Sequence, residues 1–153
     1  MHWLMNNFFL SIIFFFVIGV SAAHAADLPI TSHFGWRIHP IYGDWRFHSG
    51  TDFGYGEGTA IPAVMDGQVM AAGDYGDGYG NQVLIYHYND TYTRYAHCSY
   101  IYVSPGDVVS AGDCIGLVGS TGNSTGPHLH LEYIVRDSSG QYTYTDPLVL
   151  WGL

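Results

Sequence analysis

All but one of the 20 glycines fall after residue 26, and with clusters of Asp, Asn and Ser they cut the chain into short runs. The runs between are rich in apolar and aromatic residues. No window sustains a 3.6-residue apolar period of helical length. The spacing predicts strands over Gly67–Ala72, Gln82–Tyr88, Thr91–His97, Cys114–Val118 and His128–Val135. Breaks are expected at Gly73–Asn81, Tyr88–Asp90, Ser104–Gly106 and Gly119–Pro127. Many short strands between turn signals indicate an all-β sandwich or barrel. Five of the 13 tyrosines, Tyr86, Tyr88, Tyr92, Tyr95 and Tyr133, sit in these runs, where half-buried strand faces suit them. Gly58-x-x-Ile61-x-Ala63 recurs as Gly106-x-x-Val109-x-Ala111, which fits either chance or two similar strand-turn-strand units.

The first 26 residues read differently, because no charged side chain precedes Asp27. Residues 8–20 are apolar but shorter than the ~20 residues that a membrane span needs. Ala23-His24-Ala25 then gives the small-x-small pattern of a signal-peptide cleavage site. The expectation is a signal peptide over residues 1–25 and a mature domain over 26–153. Met1–Asn7 carries no Lys or Arg, so an uncleaved anchor beginning near Trp3 is the rival reading. Either way the domain is exported, to the periplasm, the cell envelope or the medium. Once the leader is cleaved, no stable membrane insertion is expected, and a monomer is.

Charge excludes some partners. Four basic against 13 acidic residues give a net charge of -9, and lysine is absent. Nucleic-acid binding needs a clustered basic face, which Arg37, Arg46, Arg94 and Arg136 do not supply. The two cysteines, Cys98 and Cys114, suit an oxidising compartment. They either close a disulfide or remain packed thiols, because geometry decides.

Histidine is the unusual component, with nine in the chain. Three short segments concentrate the chemistry. In the first, His48 and Asp52 flank Gly50 in a loop or extended entry. In the second, strand alternation puts His128, His130 and Glu132 on one face and Leu129, Leu131 and Tyr133 toward the core. In the third, His97 is expected to share a face with Tyr95 and Thr93. Two imidazoles and one carboxylate suit Zn²⁺, and three protein ligands leave a fourth position for water. Such a site can hydrolyse an amide. The helical His-Glu-x-x-His signature is absent. Only Glu57 and Glu132 are glutamates, so histidine is the more natural base. His33, His39 and His87 read as structural, with His39 in a turn before Pro40.

These segments resemble the lysostaphin-type, or LytM-type, zinc metallopeptidases of bacterial cell-wall turnover. The resemblance runs from about Thr31 to Arg136. It includes Ser32-His33-Phe34-Gly35-Trp36-Arg37, then His48-Ser49-Gly50-Thr51-Asp52-Phe53, then Gly58 to Ala63. It continues through Gly78-Tyr79-Gly80-Asn81 and Tyr95-Ala96-His97 to Gly126-Pro127-His128-Leu129-His130-Leu131-Glu132.

The resemblance implies that His48, Asp52 and His130 ligate one zinc ion. It implies that His97 and His128 act as general base and as stabiliser of the tetrahedral intermediate. The implied fold is an antiparallel all-β core of barrel-sandwich (duplicated hybrid motif) type with a narrow active-site groove. The implied substrate is peptidoglycan, cut in its peptide cross-bridges or stem peptides. Tyr42, just upstream of the first ligand, is a candidate to assist the oxyanion, and Asn81 one for turn geometry. Cys98 departs from the apolar residue usual at its position. Some members of the family have lost ligands and activate other wall hydrolases. The alternative reading is therefore a non-catalytic domain that binds the wall or activates a hydrolase, although every ligand is retained here. A structural envelope protein with incidental histidines is the third reading. The net charge would repel a carboxylate-rich substrate.

Overall fold

The computed structural model describes residues 28–153, so the expected signal peptide and its cleavage after Ala25 lie outside the described residues. Twelve strands follow one another: β1 Ile30–Ser32, β2 Gly35–Ile38, β3 Trp45–His48, β4 Thr51–Phe53, β5 Ala60–Pro62 and β6 Gly67–Asp74, then β7 Asn81–His87, β8 Thr91–Ile101, β9 Val108–Val109, β10 Cys114–Val118, β11 Leu129–Arg136 and β12 Tyr142–Thr145. The chain closes with a 3₁₀ turn, Pro147–Trp151, whose first turn is capped by the Asp146 carboxylate accepting from the Leu148 amide. No α-helix occurs among the described residues, as glycine punctuation requires. Nor is any helix there long and apolar enough to cross a membrane.

Every pairing between strands is antiparallel. The main sheet runs β1-β4-β11-β8-β7-β6-β9, with β12 on β11 and with β10 joining β8 to β5. β2 and β3 form a separate hairpin. The all-β, antiparallel expectation is met. Alternation builds the core: Val83 and Ile85 of β7, Tyr95 of β8, Leu129 and Leu131 of β11, and Phe53 of β4 are all buried. Burying side chains of this kind contributes roughly 1.5–3 kcal/mol each. The hydroxyl of the buried Tyr95 is not orphaned, since the Val64 amide donates to it at 2.9 Å.

The paired motifs at Gly58 and Gly106 correspond to two similar turns. Both glycines adopt left-handed φ, +82° and +95°, and each leads into a short strand, β5 and β9, that buries Ile61 or Val109. Cys98 is buried, Cys114 is exposed, and both are free thiols.

One register matters for function. In β11, His130 lies opposite Asp52 of β4 on one side and Ala96 of β8 on the other. Gly50, between β3 and β4, lets this happen. A Cβ there would overlap the Leu131 carbonyl and lie 2.9 Å from His130 Cε1.

Candidate metal centre and active-site groove

Cross-strand pairing puts Asp52 beside His130, and the tight Ser49-Gly50 connection returns His48 to the same point. His48 Nε2 lies 3.2 Å from Asp52 Oδ1 and 3.1 Å from His130 Nδ1. His130 Nδ1 lies 2.8 Å from the same carboxylate oxygen. These three atoms form a compact triangle able to hold a metal ion. Metal–ligand bonds of about 2.0–2.2 Å in tetrahedral array separate donors by about 3.3 Å, so the triangle needs to open by only a few tenths of an ångström.

Proton placement supports the fit. The His33 carbonyl, 2.8 Å from His48 Nδ1, can only accept, so that nitrogen carries the proton and Nε2 presents a lone pair. His130 Nε2 faces the Glu132 carboxylate at 3.3 Å, which leaves its Nδ1 lone pair for the same point. Two lone pairs and a carboxylate thus converge, and such a set calls for a cation. Without a metal, a proton fills the role. Burial lowers the His130 pKa, but the hydrogen bonds and charges of Asp52 and Glu132 outweigh burial and push it up to about 8. Burial raises the Asp52 pKa, yet hydrogen bonds with His130 and His48 hold its carboxyl far below the usual range.

Glu132 anchors the floor of the site. Its side chain is wholly buried, which an isolated carboxylate would not tolerate. Arg94 Nη1 donates to it at 2.9 Å and the Tyr79 hydroxyl at 2.6 Å, and Ser49 Oγ donates to the same Oε1. These partners and His130 overcome burial and keep it ionised. Ser49 and Tyr79 lie inside the resembling blocks and Arg94 lies in β8, but nothing in their spacing announces that all three meet at one carboxylate.

His97 departs from expectation. It does not share the core-facing side of Tyr95 and Thr93. The β7–β8 register slips between Asn81↔Cys98 and Val83↔Tyr95, and His97 adopts a left-handed φ of 61°. This bulge turns the ring onto the face of His130, as bulges beside active sites often do. Loops hold it there. The His97 amide donates to the Tyr79 carbonyl at 2.8 Å, and its Nδ1 donates to the Thr121 carbonyl at 2.8 Å. His128 Nδ1 donates to the Gly126 carbonyl at 2.9 Å. Both rings therefore offer Nε2. Their centroids are 4.7 Å apart, and His128 Nε2 lies 3.7 Å from Asp52 Oδ1. Burial, reinforced by His128 and His130 against the opposing Thr121 carbonyl, pushes the His97 pKa down to about 4.

All five candidate residues, His48, Asp52, His97, His128 and His130, line one groove, walled by Arg37, His39, Tyr79 and Ser124. His39 does occupy a turn, its Nδ1 accepting from the Ile41 and Tyr42 amides at 3.2 and 3.3 Å. Its place on the groove wall was not foreseen. Tyr42 is exposed and stacks under Arg46, whose Cζ lies 4.0 Å from the ring centre. His87 is a buried core residue hydrogen-bonded at both nitrogens, as expected.

The chain is similar to known proteins over much of its length. The profile of Peptidase family M23 matches residues 46–144. The chain is 50% identical over 103 residues to the DD-carboxypeptidase/endopeptidase Mpg of Neisseria meningitidis, covering 67% of this chain and 24% of that protein. It is 46% identical over 100 residues to the peptidoglycan DD-endopeptidase ShyA of Vibrio cholerae, covering 65% and 23%. The chain thus spans about a quarter of the length of these curated relatives. Among solved structures, the catalytic domain of the antimicrobial peptidase lysostaphin from Staphylococcus simulans superposes with a TM-score of 0.74 at 34% identity, covering 87% of this chain and 98% of that one.

Proposed function

Because the chain belongs to peptidase family M23, we propose that it is a zinc-dependent endopeptidase acting outside the cytoplasm on peptide cross-bridges or stem peptides of peptidoglycan. The observation that carries this reading is the convergence of two imidazole lone pairs and one carboxylate, with two further imidazoles beside them in one groove. His48 Nε2, Asp52 Oδ1 and His130 Nδ1 would hold the zinc. Bound there, zinc supplies Lewis acidity toward a carbonyl oxygen and makes water a nucleophile near neutral pH.

The rest of the chemistry falls to this chain's side chains. His97 and His128 each keep one nitrogen committed to a backbone carbonyl and one free in the groove. One of them accepts the proton of the attacking water and returns a proton to the leaving amine. The other, carrying a second proton on Nε2 as imidazolium because its Nδ1–H is already committed, donates to the oxygen that gains charge as the carbonyl becomes tetrahedral. Glu132, fixed by Arg94 and Tyr79, orients His130. Family likeness to a peptidoglycan DD-endopeptidase supports the substrate class.

Incubation of the protein with purified peptidoglycan, with and without a chelator, tests the reading. Mass spectrometry should find newly freed peptide amines only when metal is present. Wall material left intact with zinc bound would favour a non-catalytic wall-binding or activator role.

A further inference from the structure

A peptidoglycan peptide carries several carboxylates, whereas this chain carries a net charge of -9 and only four cationic side chains. The fold distributes those four unequally. Arg94 is committed to Glu132 at 2.9 Å, and Arg136 to Asp90 at 3.0 Å. The other two, Arg37 and Arg46, lie directly opposite each other across the β2–β3 hairpin. Like charges directly opposite in an antiparallel pair destabilise it. The hairpin nevertheless carries them at the edge of the groove.

Between them lies a hollow lined by Arg37, His39, Arg46, Phe47, His48 and Ser49. It adjoins the groove, sharing Arg37, His39, His48 and Ser49 with it. Its donors are under-used. Arg37 Nη2 is 3.9 Å from Asp52 Oδ2, longer than the ~2.7–2.9 Å of a charge-assisted hydrogen bond. Arg37 Nε is buried without any partner. The tautomer of His39 leaves its Nε2–H uncommitted, since Nδ1 accepts from two amides. Arg46 is paired with Asp44 at 2.8 and 3.1 Å, but both side chains are about half exposed, so exchange for another carboxylate costs little.

We infer that this two-arginine hollow is the subsite for a carboxylate of an acidic peptide substrate, seated beside the His48 edge of the metal-binding triangle. The inference rests on the proposed reading only in taking the peptide to be the one whose bond is cut. A guanidinium matches a carboxylate in planar, two-bond geometry, which lysine cannot provide. The hollow also answers the charge problem, because local cations draw in a ligand that the whole-molecule charge would repel.

The test is a binding titration with the tripeptide L-Ala–γ-D-Glu–L-Lys, as the free acid and as its fully amidated form, using the zinc-supplemented full chain. The free acid should bind about tenfold more tightly than the amide. Arg46→Gln should cut that preference to about threefold or less, and Asp44→Asn, which frees Arg46, should raise free-acid affinity about twofold or more. Neither change should alter affinity for the amide. Equal affinity for acid and amide in the parent protein, no measurable binding of the acid, or equal weakening of both forms by Arg46→Gln would each overturn the inference. Wall hydrolysis is scored separately. An acid preference without hydrolysis would sink the hydrolase reading alone, and hydrolysis without the preference would sink this one alone.

Discussion

His48 Nε2 and His130 Nδ1 face each other at 3.1 Å, although each ring already gives its other nitrogen to a fixed acceptor. Two neutral imidazoles so placed direct lone pair against lone pair, with the Asp52 carboxylate completing the triangle. Buried groups with no donor among them need a positive charge between them. The geometry of the centre suits a cation, and the proposed reading assigns proton transfer to the neighbouring His97 and His128. The predictions separate those two jobs.

His97 and His128 should be needed for turnover and not for metal. His97→Asn is the informative change, because Asn tolerates the left-handed backbone found at this position. Turnover should fall by about 10²–10⁴ in His97→Asn and in His128→Ala. Zinc content should stay at the parent level in both. Loss of zinc from either variant would place that residue among the ligands instead.

Glu132→Gln should act at a distance from the substrate. The change leaves Arg94 facing a neutral amide in a buried setting, and losing one partner of a buried pair costs about 3–5 kcal/mol. Release of His130 from its orienting carboxylate should also weaken zinc affinity by about 10- to 100-fold. Urea unfolding and chelator competition read the two effects. Parent-like values in both would show that the network around Glu132 is only decorative packing.

His87 should make the fold acid-sensitive. Burial holds its pKa below the usual value against the opposing Asp66 carbonyl. The unfolded chain takes up this proton near pH 6.5, the folded chain only at lower pH. Stability from this residue is therefore full above about pH 6.5 and is lost as pH falls through the folded value. The urea midpoint should drop between about pH 7.5 and 5.5, and drop less in His87→Gln. An identical decline in parent and variant would assign the acid sensitivity elsewhere.

Long strands were legible because they alternate. Cys114–Val118 matches β10 at both ends, and the expected β6, β7 and β11 lie within two residues of those observed. Strands of two to four residues, such as β1, β4 and β9, were not, since so few positions display no period. The same rule explains the error at His97. Strict alternation sends it to the core with Tyr95, and only the bulge, pinned by the Tyr79 and Thr121 carbonyls, brings it to His128. Backbone acceptors carry no sequence signature.

Within the site, chemistry was easier to read than surroundings. The His-x-His-x-Glu alternation announced that His130 and Glu132 share a face, and both do meet there. The face that carries His130 and Glu132 proved buried as well as the core-facing one, because Ser49, Tyr79 and Arg94 close over Glu132. Arg37 and His39 gave no warning of their place on the groove wall, because a hairpin's position over a sheet depends on contacts far apart in sequence.

Zinc content of the purified chain and its single variants, measured by elemental mass spectrometry after dialysis against limiting zinc, tests the central claim most directly. The parent protein, His97→Asn and His128→Ala should each hold one zinc per chain, and His48→Ala, Asp52→Ala and His130→Ala essentially none. A folded His130→Ala that keeps a full equivalent at parent affinity would contradict the account.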